Sequence, residues 1–406
     1  MSGGPGATTD LAVSGDHGSR ARITVFILGL VALGLACWLV RWSVAPTHAS
    51  GDTFWYTRQA LQLAGSSRSA ATASAARFIV EQGRGASAQS WIQTADTIDP
   101  RYPAIFESRP VYPLVAAALV PILGVEAMVA AALLAGLAFA VALGLGIRAM
   151  TGSYVAGAVG VVVAYALPSG EWLAFLYADG WMLALWVSVI GLAAAFVASG
   201  RRPWMIAYAL ALAVLQETKS ANGVVLIVAI AGVAVIAVVL RSEDRRRIGQ
   251  LAMVGSLVVV AQLGIGMVVG APGLAVTLQD YFTKHFSVPD VPDPLRMLLR
   301  RDASLLPRVL INSLADPRPV AAVAAGLAAL AWLRTMTAAM WIAAAAATTL
   351  TVLIHPAPSE FPRLLAPIWI SVAVGAAGAV AAGRSRIEAA GLRGRVAASP
   401  GGIEGQ

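Results

Sequence analysis

The feature that most limits what this chain can fold into is its succession of apolar stretches too long for a soluble core. Ile23–Val40 runs for 18 residues without a charge, about 27 Å of helix at ~1.5 Å per residue. Comparable stretches recur down the sequence, and runs of that length read as membrane-spanning helices. Composition agrees: 58% of the residues are apolar and 12% charged, where a soluble domain carries about 25% charge. The expected fold is therefore an all-α polytopic transmembrane bundle. A water-soluble enzyme, a secreted disulfide scaffold and a nucleic-acid-binding module are excluded as readings. The net charge of +8 belongs to arginines in cytoplasmic loops, so no nucleic-acid partner is expected. Cys37 is the only cysteine and lies inside the first run, which leaves no intrachain disulfide.

Ten spans are expected, at 23–40, 125–147, 154–168, 177–198, 204–217, 221–240, 249–270, 319–333, 336–355 and 363–382. Residues 1–22 read as a disordered cytoplasmic tail, 23–382 as the transmembrane domain and 383–406 as a basic cytoplasmic tail. The first run is too long for a signal-peptide core and is read as retained. Val111–Gly124 is ambiguous, because fourteen apolar residues with Pro113 and Pro121 are short for a crossing. The arginines decide. If this stretch does not cross, fourteen arginines, among them Arg148, Arg201, Arg202, Arg245 to Arg247 and Arg334, share one side. Only Lys219 and Arg363 then occupy short loops on the other. The long loops 41–124 and 271–318 are outer, although 271–318 carries several arginines and mildly violates the positive-inside rule. Val111–Gly124 is thus placed along or partly within the outer leaflet. Both termini fall on the cytoplasmic side of the plasma (inner) membrane.

This topology gathers polar residues at the outer face. Gly51-Asp52-Thr53-Phe54-Trp55-Tyr56 opens the first loop. As a helix it would put Asp52, Tyr56 and Gln59 on one face, with Phe54, Trp55 and Leu61 dipping into the interface. Asp52 is either a base above the headgroups or the N-cap of that helix. Arg109, before Pro110-Val111-Tyr112-Pro113, either grips a phosphate or snorkels to headgroups. Asp179 opens an otherwise uncharged span, where a carboxylate costs roughly 2.5–3.5 kcal/mol and usually faces a cavity or partner; a surface position beyond Trp172 is the alternative. Lys219, one of two lysines, either pairs with Glu217 or Asp179 or contacts a phosphate. His355, Glu360 and Arg363 sit in one stiff proline-rich turn. No metal-ligand spacing recurs, so no metal site and no cofactor are expected, although a divalent metal stays compatible with these residues. In the second long loop, Pro294–Leu306 reads as an amphipathic helix resting on anionic headgroups, a lid or anchor.

Together these segments resemble membrane glycosyltransferases of the C-type fold, which use polyprenyl-phosphate sugars. The Asp52 segment resembles that family's acidic residue after the first span. Arg109-Pro110-Val111-Tyr112-Pro113-Leu114 looks like its basic–proline–aromatic entry to a juxtamembrane helix. Asp179 and Lys219 resemble its second acidic and later basic positions, and Phe361-Pro362-Arg363-Leu364-Leu365 its late arginine near the lipid phosphate. Two departures are expected: no two-carboxylate metal motif, and no soluble C-terminal domain. The resemblance implies transfer of a sugar from a polyprenyl-phosphate donor to a hydroxyl of a glycan, lipid or protein acceptor on the extracytoplasmic face. Asp52 would be the base. Arg109, Lys219 and Arg363 would bind the donor phosphate, and Tyr56, Tyr112, Asp179, His355 and Glu360 the substrates. A transporter or flippase of lipid-linked sugars, or a non-catalytic relative, is the competing reading. The clustering of polar groups at one face, without visible repeats, favours the enzyme.

Overall fold

A computed structural model describes residues 14–83, 85, 87–355 and 357–397. The helices are α1 (Ser14–Val44), α2 (Gly51–Leu63), α3 (Arg68–Glu81), α4 (Ala88–Thr97), α5 (Arg101–Glu107), α6 (Val111–Leu123) and α7 (Ala127–Thr151). Then follow α8 (Tyr154–Ala166), α9 (Ser169–Leu173), α10 (Asp179–Ser199), α11 (Arg202–Thr218), α12 (Ser220–Val239) and α13 (Arg245–Val268). The chain ends with α14 (Leu274–Phe282), α15 (Pro294–Ala315), α16 (Arg318–Leu333), α17 (Met336–Leu353), α18 (Phe361–Leu364) and α19 (Ala366–Ala397). No strand occurs among the described residues. The all-α polytopic bundle is therefore observed. Seven helical stretches are long and apolar enough to cross a membrane. Three of the ten expected spans form the shorter helices α8, α11 and α16. The tails differ from expectation: α1 begins at Ser14 and α19 continues to Ala397, so part of each expected tail is helical. Residues 1–13 and 398–406 lie outside the described residues.

Hydrogen bonds between helix ends show which termini share a side. Trp38 Nε1, near the end of α1, donates to the Leu173 carbonyl at 3.1 Å. Arg41 donates to the carbonyls of Tyr165, Ala166 and Leu167 at the end of α8, the orphan acceptors that close any helix. Leu176 N–H donates to the His48 carbonyl at 2.9 Å, which ties the α1–α2 link to the start of α10. At the opposite end, Arg247 of α13 donates to the Val197 carbonyl of α10 at 2.6 Å. The ends of α1 and α8 and the start of α10 thus lie together, away from the arginine-bearing α10–α13 junction.

The ambiguous apolar stretch folds back. Tyr112 Oη, in the first turn of α6, donates to the Met128 carbonyl, sixteen residues on, at 3.0 Å. In one continuous helix those positions would stand about 24 Å apart at ~1.5 Å per residue. The break is at Gly124, with φ 59° and ψ −139°, a backbone state open essentially to glycine alone. Tyr112 is wholly buried, so Tyr112→Phe is expected to cost about 1 kcal/mol, the net worth of one buried hydrogen bond. Thermal unfolding in detergent checks this, and an unchanged midpoint would show that the bond does not hold the fold-back.

The first loop is a folded layer with its own core. Phe54, Trp55 and Leu61, expected in the interface, are buried. Trp55 packs on Tyr102 and Phe106, and Tyr56 on Phe106 and Tyr112, with ring centroids 5.5–6.3 Å apart. The packing of aromatic rings across α2, α5 and α6 replaces lipid as their apolar environment. The second long loop docks onto this layer through Arg101–Asp290 at 2.7 Å and the Tyr102–His285 rings, 4.5 Å apart.

Candidate active site

Asp52 lies in the first turn of α2, and it is not the cap. Ser50 is the N-cap: its hydroxyl accepts the Asp52 N–H at 3.3 Å, and the Thr53 hydroxyl accepts the Ser50 N–H at 3.1 Å. This reciprocal capping box leaves the Asp52 carboxylate for other work. Thr53 Oγ1 also donates to the Leu176 carbonyl at 3.0 Å, so the start of α2 is pinned beside the start of α10.

Four segments bring their charges to one point. Arg363 Nη1 donates to Asp52 Oδ2 at 3.2 Å. Its Nε stands 3.0 Å from Glu360 Oε2 and 3.9 Å from Asp179 Oδ2. Lys219 Nζ, at the α11–α12 junction, donates to Asp179 Oδ1 at 2.6 Å. The chain Asp52–Arg363–Asp179–Lys219 thus joins residues distant in sequence. Its members differ in access. The Asp179 side chain is 2% exposed and those of Lys219 and Arg363 each 9%, whereas that of Asp52 is 25% exposed. Asp179 is therefore suited to hold the two cations, while Asp52 and Glu360, the latter 34% exposed, are the carboxylates a substrate can reach. Burial lowers the Lys219 pKa, and the Asp179 carboxylate opposes that shift. Without Asp179 the ammonium would lose its main electrostatic support.

His355 and Arg109 border this chain. The Ala357 N–H donates to His355 Nδ1 at 3.2 Å. Burial, with Arg363, Lys219, Arg109 and Arg301 nearby, pushes the His355 pKa down to about 3. The ring is then neutral near pH 7, its proton belongs on Nε2, and it serves as an uncharged donor. Arg109 is half-buried, and its charge acts on Tyr56, Asp179 and Lys219.

Asp52, Asp179, Lys219, Glu360 and Arg363 therefore converge, with His355 and Arg109 beside them. Tyr56 is buried. Tyr112 is not available to a substrate in this arrangement, because its hydroxyl is engaged with Met128. Two participants escaped the sequence reading. The Tyr177 ring lies under Arg363, 5.0 Å from guanidinium carbon to centroid, and its hydroxyl hydrogen-bonds Ser50. Arg301 donates to the His355 carbonyl at 3.3 Å. Tyr177 stands two residues before Asp179, and an aromatic at a span entrance was the available signal. Arg301 is one of several arginines in its stretch, and nothing local marked it.

No protein-family model matches the sequence, and no curated protein matches it. Solved structures do. The structure of ArnT from Cupriavidus metallidurans bound to undecaprenyl phosphate is similar at a TM-score of 0.50 and 17% identity, covering 88% of this chain and 60% of that one. The apo ArnT structure is similar at the same score and identity, with 88% and 59% covered. The chain thus spans about 60% of the length of the protein it matches. ArnT has the C-type glycosyltransferase fold, and this likeness shows that the chain carries that membrane fold.

Proposed function

We propose that the protein transfers a sugar from a polyprenyl-phosphate donor to an acceptor hydroxyl at the extracytoplasmic face of the plasma membrane. The observation that carries this reading is the Asp52–Arg363 contact at 3.2 Å, backed by the buried Asp179–Lys219 pair. A reachable carboxylate beside a supported cation is what glycosyl transfer from a phosphate requires. The fold likeness to a protein solved with undecaprenyl phosphate supports the donor class.

In the reaction, the acceptor oxygen bonds to the anomeric carbon and the bond from that carbon to the phosphate oxygen breaks. The acceptor proton passes to Asp52, and polyprenyl phosphate leaves with both electrons of the broken bond. Arg363 contacts Asp52. A donor phosphate would compete for that guanidinium and leave Asp52 free to accept the proton. Lys219 and Arg109 would add positive charge where the leaving phosphate gains negative charge, the preorganised stabilisation that usually contributes most. Asp179 and Glu360 orient the cations, and His355 offers its Nε2–H to the donor or the sugar.

Purified protein given a polyprenyl-phosphate sugar and candidate acceptors should release polyprenyl phosphate and form a glycoside. A transporter or flippase would move the lipid between leaflets of a vesicle without releasing it. Sidedness is checked separately in a Cys37→Ala background. Ser220→Cys should react with an impermeant thiol reagent added outside cells, and Ser242→Cys only after permeabilisation. The reverse pattern would put the site on the cytoplasmic side.

A further inference from the structure

The mechanism leaves α15 unused, although it touches the site. Its inner face holds Leu298 and Asp302, both buried. From that face Arg301 donates to the His355 carbonyl at 3.3 Å, pairs with Asp302 at 2.8 Å and lies over the Phe361 ring at 5.7 Å. Next to this docked face runs an exposed apolar stripe. Leu295, Leu299 and Leu306 fall within an arc of about 40° at ~100° per residue and are 52%, 61% and 51% exposed. On the far side of the stripe come Arg296 and Arg300, both exposed. The order around the helix is therefore docked face, leucine stripe, arginine flank.

We infer that α15 is a peripheral docking helix whose partner is an anionic lipid surface, and that it ties that surface to the His355–Arg363 turn. Three observations select lipid as the occupant. The leucines are too few and too narrow a stripe for a protein interface, yet suffice for shallow burial at the acyl boundary. The flanking guanidiniums complement headgroup phosphates. The helix also runs directly into α16, an apolar helix of the bundle, which keeps it close to the bilayer. Arg301 points the other way, into the turn. The inference does not depend on sugar transfer, because it concerns where the helix rests.

Full-length protein in the Cys37→Ala background, spin-labelled at Leu299→Cys, Leu306→Cys or Ser304→Cys, provides the test. Ser304 is exposed on the side away from the stripe. In vesicles of phosphatidylglycerol and phosphatidylcholine, labels at 299 and 306 should collide severalfold more with oxygen, relative to a water-soluble nickel complex, than the label at 304. In phosphatidylcholine alone, or with Arg296→Gln and Arg300→Gln together, that ratio should fall toward the value at 304. Thermal unfolding, measured on the same samples, reports folding of each variant. Equal water exposure at all three positions in anionic vesicles would overturn the inference. Spin–spin broadening at 299 would overturn it as well, in favour of a second copy of the chain.

Discussion

Asp52→Asn is expected to lower sugar transfer by about 10²–10⁴-fold, the usual contribution of a positioned acid–base group, with little change in stability. Asparagine keeps the size of the side chain and one oxygen that can still accept from Arg363 Nη1, now 3.2 Å from the carboxylate. It cannot hold the acceptor's proton. The local fold is safe because the cap of α2 is Ser50 and the capping box uses Thr53. Affinity for polyprenyl phosphate should stay level or rise, since Arg363 loses an anionic competitor. A role confined to positioning Arg363 gives the opposite pattern: transfer largely preserved and phosphate binding altered. The deciding measurement is kcat beside the Kd for polyprenyl phosphate, in purified Asp52→Asn and wild type. Unchanged kcat would remove Asp52 from the proton transfer.

What the sequence disclosed follows from which interactions are local. Apolar run length is a local property, so the bundle and most of its spans were legible. The charge argument also placed Val111–Gly124 apart from α7, and the Tyr112–Met128 bond shows the fold-back. Candidate residues were recognisable because charges are rare in so apolar a chain, and five of them meet in one network. Their partners were not legible. The link between Asp52 and Arg363 crosses 311 positions, and no local pattern encodes it. The same limit explains Ser50: serine and aspartate two residues apart are both good caps. The capping box with Thr53 marks Ser50 as the cap, and Thr53 is also bonded to the distant Leu176 carbonyl. The aromatics of the first loop were misplaced for a related reason. An apolar side chain facing lipid and one facing a neighbouring helix look alike in sequence. Helix ends were the other loss, since α1 and α19 extend past the expected membrane boundary into polar sequence.

Breaking the Asp179–Lys219 pair is expected to be the most destabilising change at the site. With one partner removed, the other is left as an uncompensated charge where only 2% of Asp179 and 8% of Lys219 are exposed. Such losses cost about 3–5 kcal/mol. Asp179→Ala leaves Lys219 facing Arg363, so the ammonium is driven toward its neutral form by burial and by a like charge. Lys219→Met leaves Asp179 with Arg363, whose Nε is 3.9 Å away, and should be the milder of the two. The double variant Asp179→Ala/Lys219→Met should recover much of the loss, because it removes both desolvated charges. Donor binding separates this structural cost from function. Lys219→Met and the double variant should both lose the charge-assisted contact to phosphate, about 1.5–3 kcal/mol, even where stability returns. Thermal unfolding and polyprenyl-phosphate binding, measured on the three variants in one detergent, form the double-mutant cycle. Additive stability changes would mean the two groups are not coupled. Phosphate binding that returned with stability in the double variant would show Lys219 to be a structural partner of Asp179 and no part of the phosphate clamp.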